Sequence, residues 1–417
     1  MRITAICQPQ FKIVELANTL QIDYCHQRQF MLLIPHHQDG GCMKYLLSFT
    51  VLIYLFFTPT MANATFSPFD CNTNATFNYE HGKGSMNTLK YFGTSITIDI
   101  YEADKNKAYS ALCHALNVVQ EYHYLASNFS TYPGYTNIQT INNNPEQLHH
   151  IDAKLTELLA TSIEWHGITQ GRFNVALAPV LEVWRSYRKR CQQVGTCELP
   201  SDIELANAAK HIDIKQIKLD VNNNTIQMKS GMKLDLGGIA KGWMVEKVYD
   251  QLKADNITAF MINAGGNIRH FGTHPDGRQF ITAIENPLIR KYQLEHKDNI
   301  EINSGDIYHE IIQGEDITIV SSGNYLNYYT VDGQEYHHII DPTTLYPKKE
   351  GISVSVIMKN NPILADVIST SLFLLPMPEA QALIKRIGDI EAVWFLDEQG
   401  TKIATPQFEQ YRAKLTP

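Results

Sequence analysis

Asp366 and Thr370 stand four residues apart, with Ser369 beside them. On a helix that spacing places carboxylate and hydroxyl on one face. Together they make a hard oxygen donor set, suited to Mg²⁺ and poorly suited to zinc. His337 and His338 open a run of Ile-Ile-Asp-Pro, an apolar setting in which a histidine can act as a general base near neutral pH. Glycine turns at 237–238, 265–266 and 323 could gather around one phosphate-bearing ligand, because glycine lets backbone approach closely. None is a Walker loop, and no GxGxxG follows a strand. Taken singly, each signal also fits a plain structural role: a capping or solvent-facing Asp–Thr pair, a core histidine bonded to backbone, a tight turn.

These residues need elements to position them, and the clearest stretch is MKLDLGGIAKGWMVEKVYDQL, residues 232–252. Met232, Leu234 and Leu236 alternate with polar residues, the period of a half-buried strand. Gly237 and Gly238 break that pattern. Met244, Val245, Val248, Tyr249 and Leu252 then share one face of a helix. A strand, a glycine turn and a helix start thus stand beside Asp235 and Lys241, and a helix N-terminus offers N–H groups to an anion.

Around this stretch, 417 residues give room for one large or two modest domains. A hydrophobic share of 44% against 19% charged residues describes a globular chain with a sizeable core. The net charge of −8 and the lack of a basic run argue against a nucleic-acid surface. Met43-Lys44, an apolar run from Tyr45 to Phe57 and Ala62-Asn63-Ala64 have the layout of a signal peptide over 43–64. The apolar run is shorter than the roughly 20 residues that span a bilayer. Residues 1–42, with Cys7, Cys25 and Cys42, read as lying upstream of a true start at Met43. The mature chain is then exported to the periplasm, or held at the inner membrane by an uncleaved signal. Of the four remaining cysteines, Cys191 and Cys197 bracket a short loop and are the first choice for a disulfide in an oxidising compartment. Cys71 with Cys113 is a weaker pairing, since Cys113 also fits a buried helix position.

Residues 65–87 read as an extended entry to a domain over 88–417. Strand patterns follow at Tyr91–Tyr101, Ala259–Ile262, Gln279–Glu285, Ile317–Val320 and Ile352–Met358, with helical patterns at Lys107–Leu125, Ala153–His166 and from about Pro362. Ser201 is a candidate helix N-cap. Glu182–Glu198 reads as a charged surface excursion and Tyr292–Gly314 as an inserted polar loop or hairpin. Helices and strands mix without regular βαβ alternation, which predicts an α+β fold.

In order along the chain stand FGT (92–94), STY (130–132), GRFN (171–174), DLGGIAKG (235–242), NAGGNI (263–268), SSGNY (321–325), HIIDP (338–342) and ADVIST (365–370). This succession resembles the ApbE family of FAD:protein FMN transferases over about residues 88–400. The resemblance implies an ApbE-like, T-fold-related α+β architecture, with mixed sheets and packed helices around a flavin-nucleotide cleft. It further implies Mg²⁺-dependent cleavage of FAD, attachment of FMN to a threonine of an acceptor flavoprotein, and release of AMP. Such acceptors are typically subunits of membrane redox complexes, for instance the sodium-pumping NADH:quinone oxidoreductase. Carried over, Phe92, Tyr132, Arg172, Phe173, Asn174, Asp235, Lys241 and Ile340 would line the FAD pocket. Gly238, Asp366, Ser369 and Thr370 would hold the metal, and His338 would deprotonate the acceptor hydroxyl.

Departures accompany the likeness. Asn174, Asn267 and Asn324 stand where relatives usually carry aspartate, Leu345 where a glycine normally follows the Asp-Pro-x-Thr turn, and Ser321 where a threonine is usual. Two other functions therefore stand beside the transferase: a hydrolase cutting FAD to FMN and AMP, and a non-catalytic flavin-binding protein.

Overall fold

A computed structural model of the chain describes residues 71–295 and 307–413. The expected start at Met43, the signal segment, the first six residues of the expected mature chain and residues 296–306 of the polar stretch lie outside the described residues. The described chain opens with α1 (Cys71–Asn74), β1 (Thr76–Glu80), β2 (Lys83–Thr88), β3 (Ile96–Tyr101) and α2 (Lys105–Ala126). Next come α3 (Ile138–Asn143), β4 (His149–His150), α4 (Ala153–Ile168), α5 (Ala178–Val194), α6 (Asp202–Ala209), β5 (Lys218–Asp220), β6 (Thr225–Gln227) and α7 (Ala240–Ala254). The second half holds β7 (Phe260–Ala264), β8 (Asn267–Phe271), β9 (Phe280–Glu285), α8 (Pro287–Glu295), β10 (Tyr308–Gly314), β11 (Thr318–Gly323), β12 (Tyr328–Val331) and β13 (Gln334–His337). It closes with β14 (Ser353–Met358), α9 (Ala365–Leu374), α10 (Met377–Ile387), β15 (Ile390–Phe395) and β16 (Lys402–Ala404).

Nine strands form one sheet in the order β1-β2-β3-β7-β8-β11-β14-β15-β16, antiparallel at every pairing. The expected α+β class follows from this sheet and its packed helices. One apolar core joins β3, β7 and β14 to α2, α7 and α9 through Ile98, Leu116, Val248, Ile262, Val354 and Leu372. The five apolar residues expected on one face of α7 are all buried. Every residue of β14 is buried, because apolar side chains cover both of its faces.

Three expectations change. Residues 76–88 are the edge hairpin of the main sheet rather than a lead-in, since Met86 is fully buried and β2 pairs with β3 along its length. Met232–Leu236 has the alternating burial of a strand but joins no sheet. The side chain of Asn142 pairs with both the N–H and the carbonyl of Leu234, and the Asp235 N–H donates to the Val175 carbonyl. Glu182–Glu198 is largely the second half of α5, whose Trp184 is buried. Cys191 bonds Cys197 and Cys71 bonds Cys113, the latter tying α1 to α2.

His270 on β8 links the main sheet to the small sheet of β9 and β10. Its Nε2 lies 2.6 Å from the Thr282 hydroxyl and its Nδ1 lies 3.3 Å from the Gly314 carbonyl. Burial pushes its pKa down to about 4. The unfolded chain therefore takes up a proton below about pH 6.5 that the folded chain refuses until about pH 4. Stability from this group is complete above that window and is lost as pH falls through it. Chemical denaturation at pH 7 and pH 4.5 should show His270→Gln losing less stability than the parent, by up to roughly 3 kcal/mol. Equal losses in the two proteins would remove His270 as a source of acid lability.

Candidate active site

A cleft of about 500 Å³ opens beside the main sheet. The turn before α7 contributes Gly237 and Gly238, the first turn of α7 contributes Lys241, and α9 contributes Asp366 and Thr370. The β7–β8 turn adds Gly265, the start of β8 adds Asn267, β11 adds Ser321, Ser322 and Gly323, and the run after β13 adds His338, Ile339 and Ile340. Phe92, Arg172, Phe173 and Asn174 close one side. Gly237, Gly238, Gly265 and Gly323 thus meet in one cleft, although 86 positions separate the first from the last.

Asp235 lines the cleft with both carboxylate oxygens engaged. Oδ1 accepts the Gly237 N–H at 2.7 Å, and Oδ2 accepts from Asn128 and Arg185 at 2.8 Å each. The carboxylate therefore fixes the glycine turn and holds Arg185, which also lies over the Phe129 ring. Lys241 reaches back to the Gly237 carbonyl at 3.0 Å and across to Asp366 at 3.4 Å. The Gly242 N–H faces the same Asp366 oxygen at 3.4 Å. Asp366 thus sits in the first turn of α9 and against the first turn of α7, where both helix dipoles favour a negative charge.

Of the four candidate metal residues, Gly238, Asp366 and Thr370 line the cleft. Ser369 does not: it is fully buried, bonded to the Asp366 carbonyl and to Ser322. Its place one residue before Thr370 turns it to the sheet side, where its hydroxyl is engaged within the protein. The buried Asn267 Oδ1 has no hydrogen-bond partner. It flanks Gly242 together with Asp366, as a Cβ on that glycine would lie 3.5 Å from the amide oxygen and 3.1 Å from the Asp366 Cβ. An orphaned buried oxygen costs about 1–3 kcal/mol unless a ligand satisfies it. Among the described residues no three His, Cys, Asp or Glu side chains form a metal cluster. The donor set is instead one carboxylate with neutral oxygens, which fits Mg²⁺ shared with substrate phosphates better than a closed protein cage.

The two histidines separate. His337 is buried, its Nδ1 accepts the Ile339 N–H, and its Nε2 consequently carries the proton donated to the Lys348 carbonyl at 2.6 Å. It is a structural residue. His338 opens onto the cleft. Desolvation inside the cleft, then His337, Arg188 and Lys241, lowers its pKa, so the imidazole is neutral at physiological pH.

Arg172 is clamped onto Asp341, with Nη1 at 2.9 and 2.8 Å from the two oxygens, and so ties the GRFN turn to the HIIDP run. Tyr132 does not line the cleft. It stacks on Tyr124 and reaches the site only through His123, whose Nε2 is 3.0 Å from the Tyr132 hydroxyl and whose Nδ1 accepts the Phe92 N–H. The proline turn that follows Tyr132 carries the ring onto α2, away from the ligand space. Two of the three asparagines do what an aspartate could not: Asn174 donates to the Ile212 carbonyl and Asn324 to the Gly351 carbonyl. Ser321 keeps the hydroxyl of a threonine, bonded to Ser355 at 2.7 Å.

The wall formed by α5 escaped the sequence reading. Leu177, Leu181, Trp184, Arg185 and Arg188 all line the cleft at helical spacing. The signal was present in that spacing, but the surrounding charges hid it.

Leu345 adopts φ +65°, the left-handed region that favours glycine. Its N–H is held by the Asp341 carbonyl, and its own carbonyl accepts from the Trp184 indole, each at 2.8 Å. Leu345→Gly and Leu345→Ala lose the same side-chain contacts, but only glycine relieves the backbone. In denaturant titrations the glycine variant should be the more stable of the two by about 1 kcal/mol. The reverse order would show that the turn carries no strain.

Comparison with known proteins agrees with the geometry. A FAD:protein FMN transferase of Vibrio cholerae is 29% identical over 226 residues, 54% of this chain and 62% of that protein. One from Haemophilus influenzae is 28% identical over 256 residues, 60% of this chain and 68% of that protein. This chain thus aligns with less than two thirds of the Vibrio relative. Among solved structures, an ApbE protein of Thermotoga maritima superposes with a TM-score of 0.66 at 22% identity, covering 82% of this chain and 99% of that one. The Vibrio cholerae flavin transferase ApbE gives 0.62 at 23% identity, covering 81% and 99%. The ApbE family model matches residues 92–394, from the first cleft residue to the penultimate strand of the sheet, and the chain belongs to the ApbE family.

Proposed function

We propose that this protein transfers the FMN half of FAD to a threonine side chain of an acceptor flavoprotein, in a Mg²⁺-dependent reaction that releases AMP. The observation that carries the reading is that His338 opens onto the same cleft as Lys241, Asp366 and Thr370. In this reading the acceptor hydroxyl gives its proton to the His338 imidazole while its oxygen bonds the FMN phosphorus. The bond from that phosphorus to the bridging oxygen breaks, and AMP leaves with the electron pair. Positioning such a base contributes roughly 10²–10⁴-fold.

Asp366, Thr370 and the Gly238 carbonyl would hold the ion, with the orphaned Asn267 Oδ1 as a further oxygen. When bound, Mg²⁺ neutralises charge on the phosphate oxygens. Lys241, anchored between the Gly237 carbonyl and Asp366, keeps a cation at the same place. Phe92 and Phe173 offer aromatic faces to the ligand's rings. The acceptor in this reading is a subunit of a membrane redox complex, of the sodium-pumping NADH:quinone oxidoreductase kind. Export to the periplasm is part of the proposal and is supported by the two disulfides, which persist in oxidising compartments.

The test combines the purified protein with FAD, Mg²⁺ and a flavoprotein domain carrying an acceptor threonine. The expected result is an acceptor heavier by one FMN, with the gain abolished by a chelator and reduced at least about a hundredfold by His338→Ala. AMP without modified acceptor would replace the transferase with a hydrolase. Bound, intact FAD would leave a flavin-binding protein.

A further inference from the structure

Four cations line the cleft: Arg172, Arg185, Arg188 and Lys241. Three face carboxylates. Arg172 pairs with Asp341 at 2.8 Å, Arg185 with Asp235 at 2.8 Å and Lys241 with Asp366 at 3.4 Å. Arg188 has no hydrogen-bond or ion-pair partner among the described residues. The acidic side chains near this part of α5 are taken by others: Glu198 faces Arg190 at 3.7 Å, and Glu204 accepts from the Tyr187 hydroxyl at 2.8 Å.

What surrounds Arg188 makes the missing counterion more telling. Burial and the neighbouring Arg185 both disfavour its charge. Trp184 and Tyr329, both buried, hold this part of α5 in an aromatic cluster with Tyr336 and Tyr346. A half-buried guanidinium on a fixed helix has a high demand for an anion, and its fork of N–H donors matches phosphate oxygens. The other three cations each face a carboxylate, and Arg188 is the cleft cation without a counterion among the described residues.

We propose that Arg188 binds phosphate of the adenine-nucleotide ligand and so sets the preference of this cleft for FAD over flavins that lack the pyrophosphate. The proposal rests on the reading that FAD occupies the cleft. Arg188 is a specificity residue and leaves proton transfer to His338. The phosphate it grips is either the pyrophosphate of intact FAD or the phosphate of departing AMP, which share their chemistry.

Arg188→Met keeps the stem and removes the charge; Arg188→Lys keeps the charge and removes the fork. Affinities of the full-length protein for FAD, AMP and riboflavin are measured by flavin fluorescence and calorimetry, with melting temperature as the check on folding. The expected result for Arg188→Met is a loss of roughly ten- to a hundredfold for FAD, with riboflavin affinity and melting temperature near those of the parent. Arg188→Lys should recover part of that loss. An equal loss for AMP places the grip on the adenylate phosphate, whereas unchanged AMP binding places it on the phosphate joined to FMN. The proposal is overturned if Arg188→Met binds FAD within about twofold of the parent, or if riboflavin weakens by the same factor as FAD. Failure of the parent to modify any acceptor would overturn the transferase reading, while leaving the phosphate preference measurable.

Discussion

The site depends on how closely α7 can approach α9. Gly242 makes that approach possible, because a side chain there would press on the Asp366 Cβ and on the Ile363 carbonyl, 3.1 and 3.4 Å from where its own Cβ would stand. With only hydrogen at that point, the Gly242 N–H and the Lys241 ammonium face one oxygen of Asp366. Two helix N-termini therefore meet over a single carboxylate. Thr370 and Ser322 follow from that contact, one a turn along α9 and the other on β11 with its hydroxyl 3.3 Å from Thr370. The orphaned oxygen of Asn267 arrives at the same place from the start of β8.

Charge around this contact is largely settled before any ligand arrives. The pairs Arg172–Asp341, Arg185–Asp235 and Lys241–Asp366 each join segments far apart in the chain and each stand at the cleft wall. Partly buried pairs of this kind add little net stability, since desolvation offsets much of the attraction. They do fix where side chains stand, and a site that need not reorganise during reaction is a better electrostatic catalyst. Asp235 shows this division of labour: it borders the ligand space while its oxygens hold a turn and an arginine.

The departures from the family pattern fall into place on the same physical terms. At Asn174 and Asn324 an amide donates to a backbone carbonyl, an interaction closed to a carboxylate, so both are local solutions to backbone satisfaction. At Asn267 the buried amide oxygen is left without a hydrogen-bond partner. At Leu345 the chain keeps the left-handed turn without glycine, held by the hydrogen bonds that its neighbours Asp341 and Trp184 supply.

Local periodicity and the order of short motifs were enough to read the α+β class, the buried face of α7, the glycine turn after Asp235 and most cleft residues. Those features depend on neighbours a few residues away, which a sequence displays directly. The strand-like pattern of Met232–Leu236 misled because burial on alternate faces resembles a strand whether its backbone pairs with another strand or with the side chain of Asn142. Ser369 and Tyr132 belong to the right motifs, yet one side chain faces the sheet and the other faces α2, a direction that only packing sets. The reverse holds for Arg185 and Arg188, which look like surface charges until α5 is laid along the cleft. Which cations face carboxylates, and which one stands without a counterion among the described residues, was decided by the tertiary structure alone, because each pairing joins residues tens to more than a hundred positions apart.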